Sequence, residues 1–227
     1  KKIRIIKEID VKIYFLRKLW GGNMSKYILL SLLAYFCGSI PSGVWIGKMV
    51  KGIDIRTVGS KNSGATNAYR TLGAKCGIAT LILDALKGYL PLYVASHFDI
   101  SDKYIVVIGL IAIFAHSMSC FLNFKGGKGV ATSLGVFLFL APKAVLVTFL
   151  GFAIVVYFTR YVSLSSITGA IILPIMVAVL PVKEGVDKMT LVILSFVIGA
   201  FVIYKHRSNI SRLLNGTESK ITFGKRG

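Results

Sequence analysis

The sequence predicts an all-α integral membrane protein of about seven transmembrane helices, with short or re-entrant polar loops on its cytoplasmic side. Three observations carry that prediction. Hydrophobic residues make up 55% of the 227 and charged ones only 16%, with a mean hydropathy of +0.72; a soluble domain carries about a quarter charged residues. The apolar residues run in long unbroken stretches, as bilayer-spanning helices require. Lysine and arginine (28) far outnumber aspartate and glutamate (9), and the excess falls in alternate loops, the asymmetry of cytoplasmic connections.

The chain opens with residues 1–23, which hold seven basic and two acidic side chains. Ile6, Ile9, Ile13, Leu16 and Trp20 fall at helical spacing, so a surface-lying amphipathic helix is one reading. The unbroken apolar run of a secretory signal is missing. The preferred reading takes Met24 as the natural start and 1–23 as a basic extension foreign to the native protein, leaving 24–227 as one membrane domain. Seven apolar runs follow, near 26–50, 76–97, 104–122, 129–140, 143–159, 162–181 and 189–204. The fourth is short and parted from the fifth only by Pro142-Lys143, so one broken helix is an alternative there and the count lies between five and seven.

Loop charges set the orientation. Numbering the connections alternately gives one side 51–75, 123–128, 160–161 and the tail 205–227. That side holds 14 basic residues against Asp54 and Glu218. The opposite loops, near 98–103, 141–143 and 182–188, hold four of each sign. The first side and the C-terminus are therefore expected in the cytoplasm, and seven spans put the start of the domain outside. The basic extension conflicts with that placement, which is why it is read as foreign. No soluble basic module is present, so nucleic acid is not an expected partner, whereas membrane lipids are. Cys37, Cys76 and Cys120 lie far apart and form no C-x-x-C, which argues against a zinc ribbon or disulfide framework and for plain packing. Neither a metal nor a cofactor is expected.

The chemistry concentrates in two loops of the cytoplasmic set. The first runs Asp54-Ile55-Arg56-Thr57-Val58-Gly59-Ser60-Lys61-Asn62-Ser63-Gly64-Ala65-Thr66-Asn67. Small residues with free N–H groups wrap an oxyanion well, and Arg56 and Lys61 offer positive charge. The Gly-x-x-x-x-Gly-Lys-Ser/Thr spacing of a Walker loop is absent, and a polar connector with turn-forming Gly and Asn is the plainer alternative. The second runs Lys125-Gly126-Gly127-Lys128-Gly129-Val130-Ala131-Thr132 directly before an apolar run. Two glycines permit close backbone approach, two lysines supply charge and the next helix presents its N-terminal dipole. A tight basic turn is the alternative.

Asp84 is the only acid inside an expected span, and Lys87 shares its helix face one turn on. A mutually neutralising structural pair and a functional pair are both open. His206 and Asn209 share a face just past the last run, where a basic helix touching headgroups is the simpler reading. His116 is either a core histidine or a polar anchor. His97 with Asp102 matches a His-x-x-x-x-Asp acyltransferase pattern, but lies on the face opposite both loops.

Taken together, from Met24 to Ile221, these residues resemble the acyl-phosphate:glycerol-3-phosphate acyltransferases, the PlsY family of bacterial membrane enzymes. The resemblance rests on Gly38-Ser39-Ile40-Pro41-Ser42-Gly43, then Asp54-Ile55-Arg56 with the loop ending Gly64-Ala65-Thr66-Asn67. It continues through Asp84-x-x-Lys87-Gly88, the Lys125–Thr132 run, His206-x-x-Asn209-Ile210-x-Arg212-Leu213 and Gly216-Thr217-Glu218. Two departures stand out. Lys61 replaces the middle Gly of a Gly-Ser-Gly-Asn loop, and Ala115 and Ser119 stand where the family has Gly before His116 and Pro after it.

The resemblance implies transfer of a fatty acyl chain from acyl phosphate to the sn-1 hydroxyl of glycerol 3-phosphate, giving lysophosphatidic acid and phosphate, the first step of bacterial phospholipid synthesis. It also implies a multi-pass protein of the bacterial inner membrane. It assigns catalytic roles to Ser39, Arg56, His206 and Asn209. Substrate contacts would come from Gly59, Ser60, Asn62, Gly64, Thr66, Asn67, Asp84, Lys87, Lys125, Gly126, Gly127, Lys128, Ser163 and Ser166, with Glu218 as a structural partner for the tail. Both expected substrates carry phosphate, which suits two cationic glycine loops. The rival reading is a transporter for an anionic phosphorylated metabolite, against which the chain shows no inverted repeat.

Overall fold

The computed structural model describes residues 23–222, so the expectation for the basic extension lies, apart from Asn23, outside the described residues. All seven expected runs are helical. The first is broken: α1 (Asn23–Ser39) and α2 (Ser42–Lys51) are bent by 41° about Ile40-Pro41. Proline lacks the N–H a continuing helix needs. A 3₁₀ turn (Ile55–Thr57), capped by the Asp54 carboxylate, and the short α3 (Ala65–Leu72) fill the first polar connection. Then come α4 (Ala74–Ala95) and α5 (Asp102–Ser117), followed by α6 (Val130–Leu140) and α7 (Pro142–Thr159). The last helices are α8 (Val162–Val179), α9 (Lys188–Lys205) and α10 (Arg207–Leu214).

Five helices (α4, α5 with its 3₁₀ extension, α7, α8 and α9) are long and apolar enough to cross a bilayer, and the α1–α2 pair makes a sixth. The seventh run, α6, has only 11 residues, about 16 Å of helix against a hydrocarbon core of about 30 Å. It is nevertheless a separate element, because Ala141 breaks the helix (φ −148°) and Pro142 opens α7. Large apolar side chains face outward, among them Leu146, Phe149, Ile154 and Phe158 on α7, the pattern of a surface solvated by lipid.

α4 is the spine. Small residues let its neighbours approach to backbone contact. A Cβ at Gly88 would stand 2.3 Å from the Thr132 carbonyl oxygen, and one at Gly135 of α6 would stand 1.8 Å from that of Ala85. Gly77 rests on Tyr69 of α3, and Gly43 of α2 on the Ser63 carbonyl and Thr80. The basic connections gather at one end: Arg70 donates to the Ser219 carbonyl and Ile221 N–H to that of Arg160. At the other end Lys183 N–H bonds the Leu140 carbonyl, and Tyr27 meets Ser101. His97 lies beside that second end, with its ring on Tyr93.

Candidate active site

The glycine loop is shaped by one buried amide. Asn67 Nδ2 donates to the carbonyls of Ile55, Val58 and Asn62 at 2.6, 3.2 and 2.9 Å, while its Oδ1 accepts from Ser60 N–H at 2.9 Å. Gly59 sits at φ 59°, where a Cβ would meet Asn67 Oδ1 at 2.4 Å. Lys61, in the place of the expected glycine, holds φ 55°. The loop therefore keeps its left-handed turn in spite of the side chain, at the strain that conformation carries. Arg56 closes on Asp54 through three side-chain bonds, the shortest 2.7 Å, and this partner pulls the Asp54 carboxyl below its ordinary value. Arg56 faces that partner and does not line the polar cavity of this site. The guanidinium that does is Arg70 of α3: it donates to the Ser219 carbonyl at 2.8 Å, and its buried Nε lacks a partner among the described residues. Sequence reading passed over Arg70 as one more cytoplasmic charge.

In the second loop the glycines serve packing. Gly126 and Gly127 donate their N–H groups to the carbonyls of Ser117 and His116, and Cβ atoms there would stand 2.0 Å from the His116 carbonyl oxygen and 2.1 Å from its Nε2. Their amides are taken, so they cradle no phosphate. Lys125 is exposed and does not line the cavity. Lys128 turns inward and donates to Asn209 Oδ1 at 2.5 Å. Burial, reinforced by Arg212, Arg70 and Lys205, pushes its ammonium down to about 8. Gly129 (φ 84°) then opens α6, whose first turn borders the cavity with its N–H groups outside the helical ladder.

His206 and Asn209 come together as their spacing implies. His206 Nδ1 lies 2.8 Å from the Val202 carbonyl. A carbonyl only accepts, so Nδ1 carries the proton and Nε2 keeps a free lone pair. Burial and Lys128 hold this imidazole down to about 4, neutral at working pH. Glu218 ties the tail in: Oε1 accepts from Ser163 Oγ and Asn209 Nδ2, both at 2.7 Å, and Oε2 from Arg212 Nε at 2.6 Å. These donors pull its carboxyl down against an opposing push from burial.

These groups enclose a polar cavity of about 140 Å³. Of the expected residues, Ser60, Asn62, Gly64, Thr66, Asn67, Asp84, Lys128, Ser163, Ser166, His206 and Asn209 line it, together with Arg70, His116 and Glu218. Ser39, Arg56, Gly59, Lys87, Lys125, Gly126 and Gly127 do not. Ser39 is buried at the end of α1, its carbonyl held by Ser119 Oγ at 2.5 Å; Ser119 stands where the resemblance implies a proline. An apolar cleft of about 160 Å³ between α6, α7, α8 and α9 adjoins the cavity, and Leu81, Val130, Ala131, Phe152 and Ser166 border both.

The profile of the family described as glycerol-3-phosphate acyltransferase matches residues 28–216. A glycerol-3-phosphate acyltransferase of Fusobacterium nucleatum is 58% identical over 192 residues, covering 85% of this chain and 96% of the relative. One from Geobacter metallireducens is 51% identical over 193 residues, with 85% and 96% covered. Among solved structures, the glycerol 3-phosphate form of PlsY, an integral membrane glycerol 3-phosphate acyltransferase, superposes with a TM-score of 0.79 at 41% identity, covering 86% of this chain and 96% of that one. Its lysophosphatidic acid form gives 0.75 at 40% identity, with 86% and 95% covered.

Proposed function

The chain belongs to the glycerol-3-phosphate acyltransferase family, and from that premise we propose how its site works: a fatty acyl group passes from acyl phosphate to the sn-1 hydroxyl of glycerol 3-phosphate, releasing phosphate. It is a multi-pass membrane enzyme, and the loop charges favour the bacterial inner membrane with the site facing the cytoplasm. The observation that carries the mechanism is the junction of a cationic cavity with an apolar cleft. Phosphates belong in the first and the acyl chain in the second, so the acyl carbon falls at the border near Val130, Ala131 and Ser166.

Acyl phosphate is already activated, and no covalent nucleophile is required. The hydroxyl oxygen attacks the acyl carbon, the carbon–oxygen bond to phosphate breaks, and His206 Nε2 accepts the hydroxyl proton. Arg70 and the loop Ser60–Asn67 hold one phosphate, while Lys128 and the first turn of α6 hold the other and stabilise the leaving group. Catalysis is then mainly positioning and charge neutralisation.

Purified protein in detergent, given radiolabelled glycerol 3-phosphate and palmitoyl phosphate, should form lysophosphatidic acid without a sealed vesicle. Product from palmitoyl-CoA at an equal rate would refute the donor assignment, and uptake without turnover in vesicles would favour the transporter reading.

A further inference from the structure

Asp84 is out of character with the cavity it lines. The site must hold two phosphates, and a carboxylate repels both. The cavity's other carboxylate, Glu218, is engaged by Ser163, Asn209 and Arg212. Asp84, 2% exposed, is paired from behind by Lys87 at 2.7 Å through Oδ1. Lys87 in turn donates to the Ile40 carbonyl at 2.6 Å, at the break between α1 and α2. Apart from the Lys87 ion pair, the Asp84 carboxylate takes no hydrogen bond among the described residues.

A carboxylate is a hydrogen-bond acceptor only. Acyl phosphate brings a carbonyl and phosphate oxygens, which are acceptors too. The acyl acceptor is the one substrate that brings donors: its hydroxyls. One of these is the nucleophile, whose proton goes to His206. We propose that Asp84, fixed by Lys87, binds the second, non-reacting hydroxyl of glycerol 3-phosphate and so sets the enzyme's selectivity for a vicinal diol phosphate over a simple hydroxyalkyl phosphate.

The inference rests on the acyl-acceptor reading above. A site built around a buried acceptor rejects an analogue lacking the matching hydroxyl, because its own polar group is left unpaired. Lys87 makes Asp84 rigid as well as charged, since its second bond anchors it to backbone rather than to another mobile side chain.

The test compares kcat/KM for glycerol 3-phosphate and for 3-hydroxypropyl phosphate, which keeps the primary hydroxyl and the phosphate and lacks the secondary hydroxyl. Wild type should favour glycerol 3-phosphate by roughly tenfold to a hundredfold, as for one hydrogen bond to a charged group. In D84N, and in the charge-neutral double variant D84N/K87M, that preference should fall to about threefold or less. Variants with lower activity on both acceptors at an unchanged ratio would overturn the proposal, since a purely structural pair predicts that outcome. Should neither variant fold, the wild-type ratio decides alone: a preference below about threefold is incompatible with a buried acceptor on the missing hydroxyl. No turnover of glycerol 3-phosphate by wild type would instead refute the acyltransferase mechanism itself.

Discussion

The pH dependence of transfer should be set by Lys128. Its ammonium is held down to about 8 by burial and by the positive groups around it. The free enzyme therefore carries it about nine-tenths protonated at pH 7 and about one-tenth at pH 9. The second ionisation of the phosphate substrates, near pH 6, is already about nine-tenths complete at pH 7 and so changes little over this range. His206, held down to about 4, does not titrate there either. If charged Lys128 is required, kcat/KM should drop about tenfold between pH 7 and 9, the limb reporting the free enzyme. Folding responds with the opposite sign. A lysine depressed in the native state binds fewer protons folded than unfolded between about 8 and its ordinary 10.5, so its share of stability rises with pH across that window. Activity lost in this range is therefore not unfolding by this group. The assay is initial rate against pH in detergent, with Lys128→Arg as the control, since arginine stays charged throughout. A flat wild-type profile, or an equal drop in Lys128→Arg, would refute the reasoning.

Three further outcomes are expected. Arg70→Ala removes the guanidinium lining the cavity and should lower kcat/KM about tenfold to a hundredfold, whereas Lys125→Ala, exposed and outside it, should stay within about twofold; parallel kinetics on the two variants check the contrast. Gly127→Ala drives a Cβ to 2.1 Å from His116 Nε2 and should reduce both activity and the thermal midpoint, with a cost on the order of 1–3 kcal/mol for overpacking, read by fluorescence-detected melting. Glu218→Ala strands Asn209, Ser163 and Arg212 together and should lower the midpoint more than Arg70→Ala does, because three donors lose one buried acceptor.

The spans were legible because the bilayer demands uninterrupted apolar length. One run is informative in another way: 26–50 reads as continuous in hydropathy, yet Pro41 splits it into two helices 41° apart, a steric fact that hydropathy does not register. The site was legible as a set of loops and not as a set of contacts. Gly126-Gly127 carries the signature of a phosphate cradle, but the same lack of a Cβ is needed to pack against His116, and sequence does not separate the two uses. Arg56 and Arg70 look alike in a basic loop. Only the fold turns one to Asp54 and the other to the cavity. His206 and Asn209 were read correctly as sharing one helix face, because helical spacing alone fixes that geometry.

The shortness of α6 explains how charged chemistry and an acyl chain meet inside a membrane protein. At its far end the Leu140 carbonyl accepts from Lys183 N–H, and at its near end Gly129 and Val130 border the polar cavity. Against a full span of about 20 residues it lacks about nine, or about 14 Å of helix. Just before its first turn Lys128 faces inward to Asn209, in the cavity that adjoins the apolar cleft. On the proposed mechanism, a longer helix here would move the cationic cavity away from the apolar cleft that it now adjoins. Burial at this end of α6 also depresses the Lys128 ammonium, so the position that sets it beside the apolar cleft is the one that makes it sensitive to pH.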